Sequence, residues 1–136
     1  MNVEKIICKN QVFAIIFYNR PITPGVHFFT DDESLLQVGK QRRRKGELIK
    51  PHKHMPVKVK RTETLQEVLY IEKGKVKITF YDDQNRSFEN RVLGEKDMIP
   101  LIRGGHGFEF LDETEMVEIK QGPYDPKSTE RLEVQE

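Results

Sequence analysis

Residues 67–81 read EVLYIEKGKVKITFY, and the apolar residues of this stretch recur with a period of two. The clearest alternation of apolar and polar residues is centred on Val76, Ile78 and Phe80. Successive side chains of a strand point to opposite faces, so the pattern predicts a strand with one buried and one solvated face. A strand over residues 67–71 precedes Gly74, and the two strands are predicted to form a β-hairpin.

Short apolar runs separated by turn residues continue on both sides of this predicted hairpin. Further strands are predicted at residues 12–18, 26–29, 35–38, 98–101, 106–110 and 116–120. The last two are expected to pair with each other, and residues 82–85 are expected to form a loop. Short strands at these intervals are typical of a β-sandwich or a β-barrel, so the predicted fold class is all-β.

The length and composition indicate one domain. The chain has 136 residues, of which 36% are hydrophobic and 33% charged, and this predicts a single domain over residues 1–136 with a modest core. Residues 125–136 are polar and lack an apolar period, so they are expected to form a loosely ordered tail.

Charge and cysteine content narrow the function classes. The net charge is +1, so no global field favours nucleic acid or an acidic membrane, and neither is an expected partner. Cys8 is the only cysteine, which excludes an internal disulfide and suits a reducing compartment. The longest apolar run, residues 12–18, is too short to span a membrane. We therefore expect a cytoplasmic protein.

Three histidines and a glutamate have the spacing of a metal site. His52 and His54 are two positions apart, and residues two apart on a strand share a face. His106 follows a Gly-Gly bend, and Glu67 begins a predicted strand whose apolar face would bury its carboxylate at a cost. Each histidine alone is as well explained by a surface or core role. Together, the four residues predict one bound divalent metal ion.

The chemistry of these ligands limits the choice of ion. Neutral imidazoles and a carboxylate suit iron, manganese, nickel, zinc or copper. Four protein ligands leave one or two coordination positions open for substrate, water or oxygen. Because coordination requires deprotonated imidazole, metal affinity is expected to weaken below a pH of about 6.5.

The same residues resemble the two sequence motifs of the cupin superfamily. The first motif is a glycine, five residues, His-x-His, and then a glutamate separated by six residues from a second glycine. Its places are taken by Gly46, His52, His54, Glu67 and Gly74. The chain departs from the family by inserting residues 55–66 before the glutamate, which leaves Glu63 as an alternative ligand.

The second cupin motif is matched less completely. Gly94, Pro100 and His106 occupy its glycine, proline and histidine places. The Gly104-Gly105 pair lies further from the proline than the single glycine of the pattern, and no asparagine follows the histidine. The resemblance covers residues 46–110.

Similarity to small, single-domain, metal-binding cupins implies a double-stranded β-helix, a jelly-roll barrel, with a motif-bearing core over residues 46–121. It implies a metal-dependent enzyme that acts on a small polar molecule such as a sugar, a sugar nucleotide or a keto acid. The reaction would be isomerase, lyase or oxygenase chemistry, and no catalytic base is identified. The alternative is a noncatalytic cupin that binds or senses a small molecule and holds a structural metal.

Several other residues carry weaker predictions. Gln37, Lys50 and Gln121 are candidate contacts to a small-molecule substrate. Phe108 and Phe110 share the strand parity of the predicted ligand His106 and are expected to fill the barrel interior.

A homodimer is also expected. The strand over residues 12–18 is predicted to be an unpaired sheet edge, and together with the loop at residues 55–66 it would contact the second copy.

Overall fold

The computed structural model describes residues 2–58, 64–123, 126–128 and 132–133. Strands make up nearly all the regular structure of those residues, which contain no α-helix and hence none that could cross a membrane. The strands are β1 (Val3–Cys8), β2 (Gln11–Phe17), β3 (Gly25–Phe28), β4 (Gly39–Arg42), β5 (Glu67–Lys73), β6 (Val76–Tyr81), β7 (Ser87–Leu93), β8 (Met98–Leu101), β9 (Gly105–Phe110) and β10 (Glu115–Lys120). A 3-10 turn covers Pro126–Ser128.

The chain divides into two compact units. The first consists of Met1–Arg20 with Thr64–Glu136, and the second is Pro21–Glu63. The first unit contains two antiparallel sheets, with strand orders β1-β2-β8-β5-β10 and β7-β6-β9. The all-β class is therefore confirmed, and the sheets are compatible with a barrel.

The core of the first unit is formed by alternate residues of both sheets. Leu69 and Ile71 of β5 are buried in one cluster with Ile78 and Phe80 of β6. Strand β6 follows the predicted period of two, since its residues alternate between buried and half-buried along its whole length. The predicted apolar face of residues 76–81 is confirmed.

The predicted hairpin at Gly74 is wrong. Strand β5 pairs with β8 and β10, whereas β6 pairs with β7 and β9, so the turn carries the chain from one sheet to the other. The expected pairing of β9 with β10 is wrong for the same reason. Alternation identifies the buried face of a strand, but it does not identify the neighbouring strand.

Two hairpins do occur in the first unit. Strands β1 and β2 are joined by Lys9 and Asn10, whose φ angles of 49° and 62° are those of a hairpin turn of inverted type. Strands β6 and β7 are joined by the predicted loop at residues 82–85. There, Asp82 Oδ1 accepts hydrogen bonds from the backbone N–H of Gln84 at 2.9 Å and of Arg86 at 3.0 Å.

Strand β2 is not a sheet edge. It pairs with β1 on one side and β8 on the other, and all its residues from Phe13 to Phe17 are buried. The predicted edge at residues 12–18 is therefore wrong. The sequence does not predict β1, the strand that pairs with the outer side of β2, because charged and apolar residues are mixed within it.

The second unit contains the two-stranded sheet β3-β4. The predicted strand at residues 26–29 is found one residue earlier. The predicted strand at residues 35–38 is wrong, because residues 35–36 form a bend, residues 37–38 have no regular structure and β4 begins at Gly39. Residues 43–58 form no strand. The alternative ligand Glu63 lies outside the described residues.

Candidate metal centre

Two of the four predicted ligands meet in the first unit. Glu67 begins β5 on the face that also carries Leu69 and Ile71, and His106 lies on β9 opposite Phe80. The distance from His106 Nε2 to Glu67 Oε1 is 2.9 Å. The two side chains are 29% and 14% exposed, so the pair is mostly shielded from water but reachable from it. The structure thus joins the two sheets through this pair.

The electrostatics of the pair keep the carboxylate ionised. The hydrogen bond from the His106 ring outweighs burial and lowers the pKa of Glu67 to about 2. The neighbouring Glu118 side chain on β10 also lowers the pKa of Glu67, and its interaction with Glu67 raises the pKa of Glu118. An ionised carboxylate is the form that binds a metal ion.

The geometry of this pair fits two neighbouring ligands of one ion. Imidazole nitrogen and carboxylate oxygen bind divalent metals at about 2.1 Å, and two such bonds at a right angle place the donor atoms about 3 Å apart. The observed separation of 2.9 Å is close to that value. An ion could therefore replace the ring proton that His106 now shares with Glu67, with little movement of either side chain.

The other two predicted ligands lie in the second unit. His52 and His54 are exposed, and their ring centroids are 5.2 Å apart in an edge-to-face arrangement. His52 Nδ1 lies 2.9 Å from the backbone carbonyl of Lys50. Because a carbonyl only accepts, this hydrogen bond requires the proton on Nδ1 and leaves the Nε2 lone pair for a metal. The two residues are not on a strand, contrary to prediction.

The four predicted ligands therefore form two pairs, one pair in each unit. No group of three or more histidine, cysteine, aspartate or glutamate side chains suited to a metal ion occurs in the part of the chain that the structure describes. The site with all four ligands stays a prediction.

The amides of two predicted substrate contacts bond to their own unit. Gln37 Nε2 donates to the backbone carbonyls of Asp31, Asp32 and Ser34 at distances of 2.8–3.2 Å. Gln121 Oε1 accepts from the backbone N–H of Gln66 at 2.8 Å. The third candidate, Lys50, is exposed. Contacts from these residues to substrate stay predictions.

Glu118 and Lys120 are not among the site residues that the sequence predicts. The register places Glu118 opposite Leu69 and Lys120 opposite Glu67, so both share the face of the predicted ligand. Their alternate positions on β10 place both residues on one face of the strand. The predicted pairing of β10 with β9 does not bring that face beside Glu67. Lys120 Nζ lies 3.6 Å from Glu118 Oε1, so the carboxylates have a cation beside them.

The aromatic residues of β9 differ from their predicted role. Phe108 and Phe110 are 37% and 55% exposed, and their rings stack with centroids 6.5 Å apart. They continue the face that begins at His106, whose ring centroid is 5.5 Å from that of Phe108. The face beside the metal candidate is thus aromatic and open to solvent.

The chain matches no protein-family model, and comparisons with curated proteins and with solved structures give no match either. Its likeness to cupins rests on the residues named above and stays a prediction.

Proposed function

We propose that the chain is a metal-binding cupin. The predicted ligands of the ion are His52, His54, Glu67 and His106, and the two sheets of the first unit would form part of a jelly-roll barrel. The observation that carries the proposal is the half-buried 2.9 Å contact between His106 and Glu67. Iron, manganese, nickel, zinc and copper all suit these donors.

The proposed activity is that of a metal-dependent enzyme on a small polar molecule. When bound, the ion supplies a Lewis acid with one or two open positions that can polarise a substrate oxygen. Glu118 interacts with the Glu67 carboxylate, and Lys120 supplies a cation beside Glu118. These polar surroundings support a sugar, a sugar nucleotide or a keto acid as the ligand, handled by isomerase, lyase or oxygenase chemistry.

The second candidate is a noncatalytic cupin that binds or senses a small molecule around a structural metal. It is favoured by the internal hydrogen bonds of Gln37 and Gln121, because an amide that bonds to its own backbone is less free to contact a substrate. For either candidate we propose a cytoplasmic location, since the only cysteine, Cys8, is free.

Metal analysis of protein purified without chelator and without added metal tests the proposal. We expect about one equivalent of a transition metal per chain, and a large loss of it in His52→Ala and His106→Ala. The matched control is His27→Ala, since His27 is the fourth histidine and bonds to Thr23 of its own unit. Trace metal in the native protein, or equal loss in the control, would refute the proposed site.

A second measurement separates the two candidates. Cobalt substituted at the site gives an absorption spectrum that changes when a ligand enters or leaves the coordination sphere. A spectral change on addition of small sugars or keto acids would favour the enzyme. A spectrum that stays constant with every such compound would favour the structural metal.

A further inference from the structure

Strand β10 is an open sheet edge with exposed apolar residues. It is the last strand in its sheet, and its only pairing among the described strands is with β5. On its outer face, Val117 is 40% and Ile119 is 58% exposed. Exposed β-branched residues on an open edge are a template for pairing with another strand. The edge carries no proline, and its bulge lies only at its start, between Glu115 and Met116.

The hydrogen bonds to β5 determine which backbone groups β10 presents at this edge. The backbone N–H of Gln121 donates to the carbonyl of Gln66, so the backbone N–H and C=O of Gln121 are directed towards β5. In an antiparallel ladder every second residue directs its backbone groups to the same neighbour, so those of residues 117 and 119 are also directed towards β5. Glu118 and Lys120 therefore direct their backbone N–H and C=O groups away from the sheet.

The charges on those two residues complement a second copy of the same strand. If two β10 strands pair antiparallel about Ile119, each Glu118 lies opposite Lys120 of the second copy. Pairing about Glu118 would instead place two carboxylates opposite each other. Opposite charges across a pair stabilise a sheet and like charges destabilise it.

We infer that β10 pairs with β10 of a second copy, antiparallel and centred on Ile119, to give a two-fold symmetric homodimer. The two five-stranded sheets then continue into each other across this edge. Each copy contributes the same patch, as a two-fold axis requires. The dimer gains two pairs of opposite charge and brings the exposed Ile119 side chains of the two copies together at the two-fold axis.

Charge reversal tests this pairing by measurement of molar mass over a roughly hundredfold range of protein concentration. Glu118→Lys and Lys120→Glu each convert both opposite-charge pairs into like-charge pairs, so we expect the dimer dissociation constant to rise about tenfold or more. The double variant exchanges the two charges and restores complementarity, so the dimer should return. Glu115→Lys is the control, since it makes the same charge change on β10 opposite Pro123 of the second copy and should leave the dimer intact.

A second variant tests the centre of the pairing. Ile119→Asp brings two carboxylates together at the two-fold axis and should leave only monomer, while its circular dichroism spectrum stays that of the native chain. Because Glu118 also interacts with Glu67, loss of the dimer in a single variant could have another cause. Return of the dimer in the double variant is therefore the result that decides the test. A native chain that is monomeric at every concentration would overturn the inference, and so would a double variant that stays dissociated.

Discussion

The Arg91 guanidinium on β7 and the Glu4 carboxylate on β1 form a two-pronged ion pair that joins the two sheets of the first unit. Arg91 Nε donates to Glu4 Oε1 at 3.0 Å, and Arg91 Nη2 donates to Glu4 Oε2 at 3.1 Å. Tyr18 Oη donates to the same carboxylate at 2.8 Å. The sheets are thus bridged through β1 and β7 at one place and through the Glu67–His106 contact at another.

Glu4→Gln should destabilise the first unit by about 1–2 kcal/mol, because the amide keeps the shape of the carboxylate but loses its charge-assisted bonds to Arg91. Chemical denaturation measures the change in the free energy of unfolding. Glu89→Gln removes the other, more exposed carboxylate that binds Arg91 and should cost less than about 0.5 kcal/mol. Equal costs would contradict a special role for Glu4.

Stability should fall in acid as Glu4 becomes protonated. The hydrogen bond from Arg91 lowers the pKa of Glu4 in the folded chain below its ordinary value of 4.5. A lowered pKa means that the contribution of Glu4 is complete above pH 4.5 and is lost as the pH falls towards the folded-state value. Denaturation curves across this range should show a smaller decline for Glu4→Gln than for the native chain.

Tyr18 should make the chain less stable in alkali. Burial, and then the hydrogen bond to Glu4, raise the pKa of the Tyr18 hydroxyl from 10.0 to about 12. A raised pKa means that this contribution is complete below pH 10 and is lost as the pH rises to about 12. Tyr18→Phe has no such ionisation, so its stability should decline less than that of the native chain over this interval.

Gly74→Ala should destabilise the chain by about 2 kcal/mol or more. Gly74 has a φ of 102°, and a Cβ there would meet the Glu113 carbonyl and would lie 2.7 Å from the Thr114 Cα. Gly94→Ala is the control, because nothing lies within 4 Å of the Cβ it would add. Thermal unfolding of both variants checks the prediction, and a Gly74→Ala protein as stable as the control would contradict it.

Added metal should stabilise the native chain against heat. An ion that binds only the folded state contributes about 2.7 kcal/mol when its concentration is 100 times the dissociation constant. Glu67→Gln should lose most of this gain, because an amide is a weaker ligand than a carboxylate. His27→Ala should keep the gain, and a Glu67→Gln protein that keeps it too would contradict the assignment of Glu67 as a ligand.

In this fold, the sequence predicts which face of a strand is buried better than it predicts which strands pair with each other. The alternation at residues 76–81 correctly identifies the buried side of β6, because a period of two follows directly from strand geometry. The partner of a strand depends on contacts between residues far apart in the chain. The sequence therefore does not reveal that Gly74 separates two sheets.

Local hydrogen bonds explain the error at residues 35–38. Thr30 Oγ1 accepts from the backbone N–H of Val38 and donates to Gln37 Oε1, and the Gln37 amide also binds backbone carbonyls of the preceding turn. Because of these bonds, β4 begins only at Gly39. Apolar residues favour a strand, but side-chain bonds to the backbone compete with it.

The sequence predicts only part of the candidate site. Glu67 and His106 each lie at or next to the first residue of their strand, in agreement with the predicted strands over residues 67–71 and 106–110. Glu118 was not predicted, because its position beside Glu67 depends on the β5–β10 register. The segment with His52 and His54 lacks the strand that motif spacing predicts.

The crossing at Gly74 also affects how the chain folds. Because β5 does not pair with β6, it can enter its sheet only after β8 and β10 have been synthesised. Pairings between distant segments form slowly, since the intervening loop has to close first. A nascent chain released before β10 emerges would therefore present β5 with one bare side, and would be prone to aggregation.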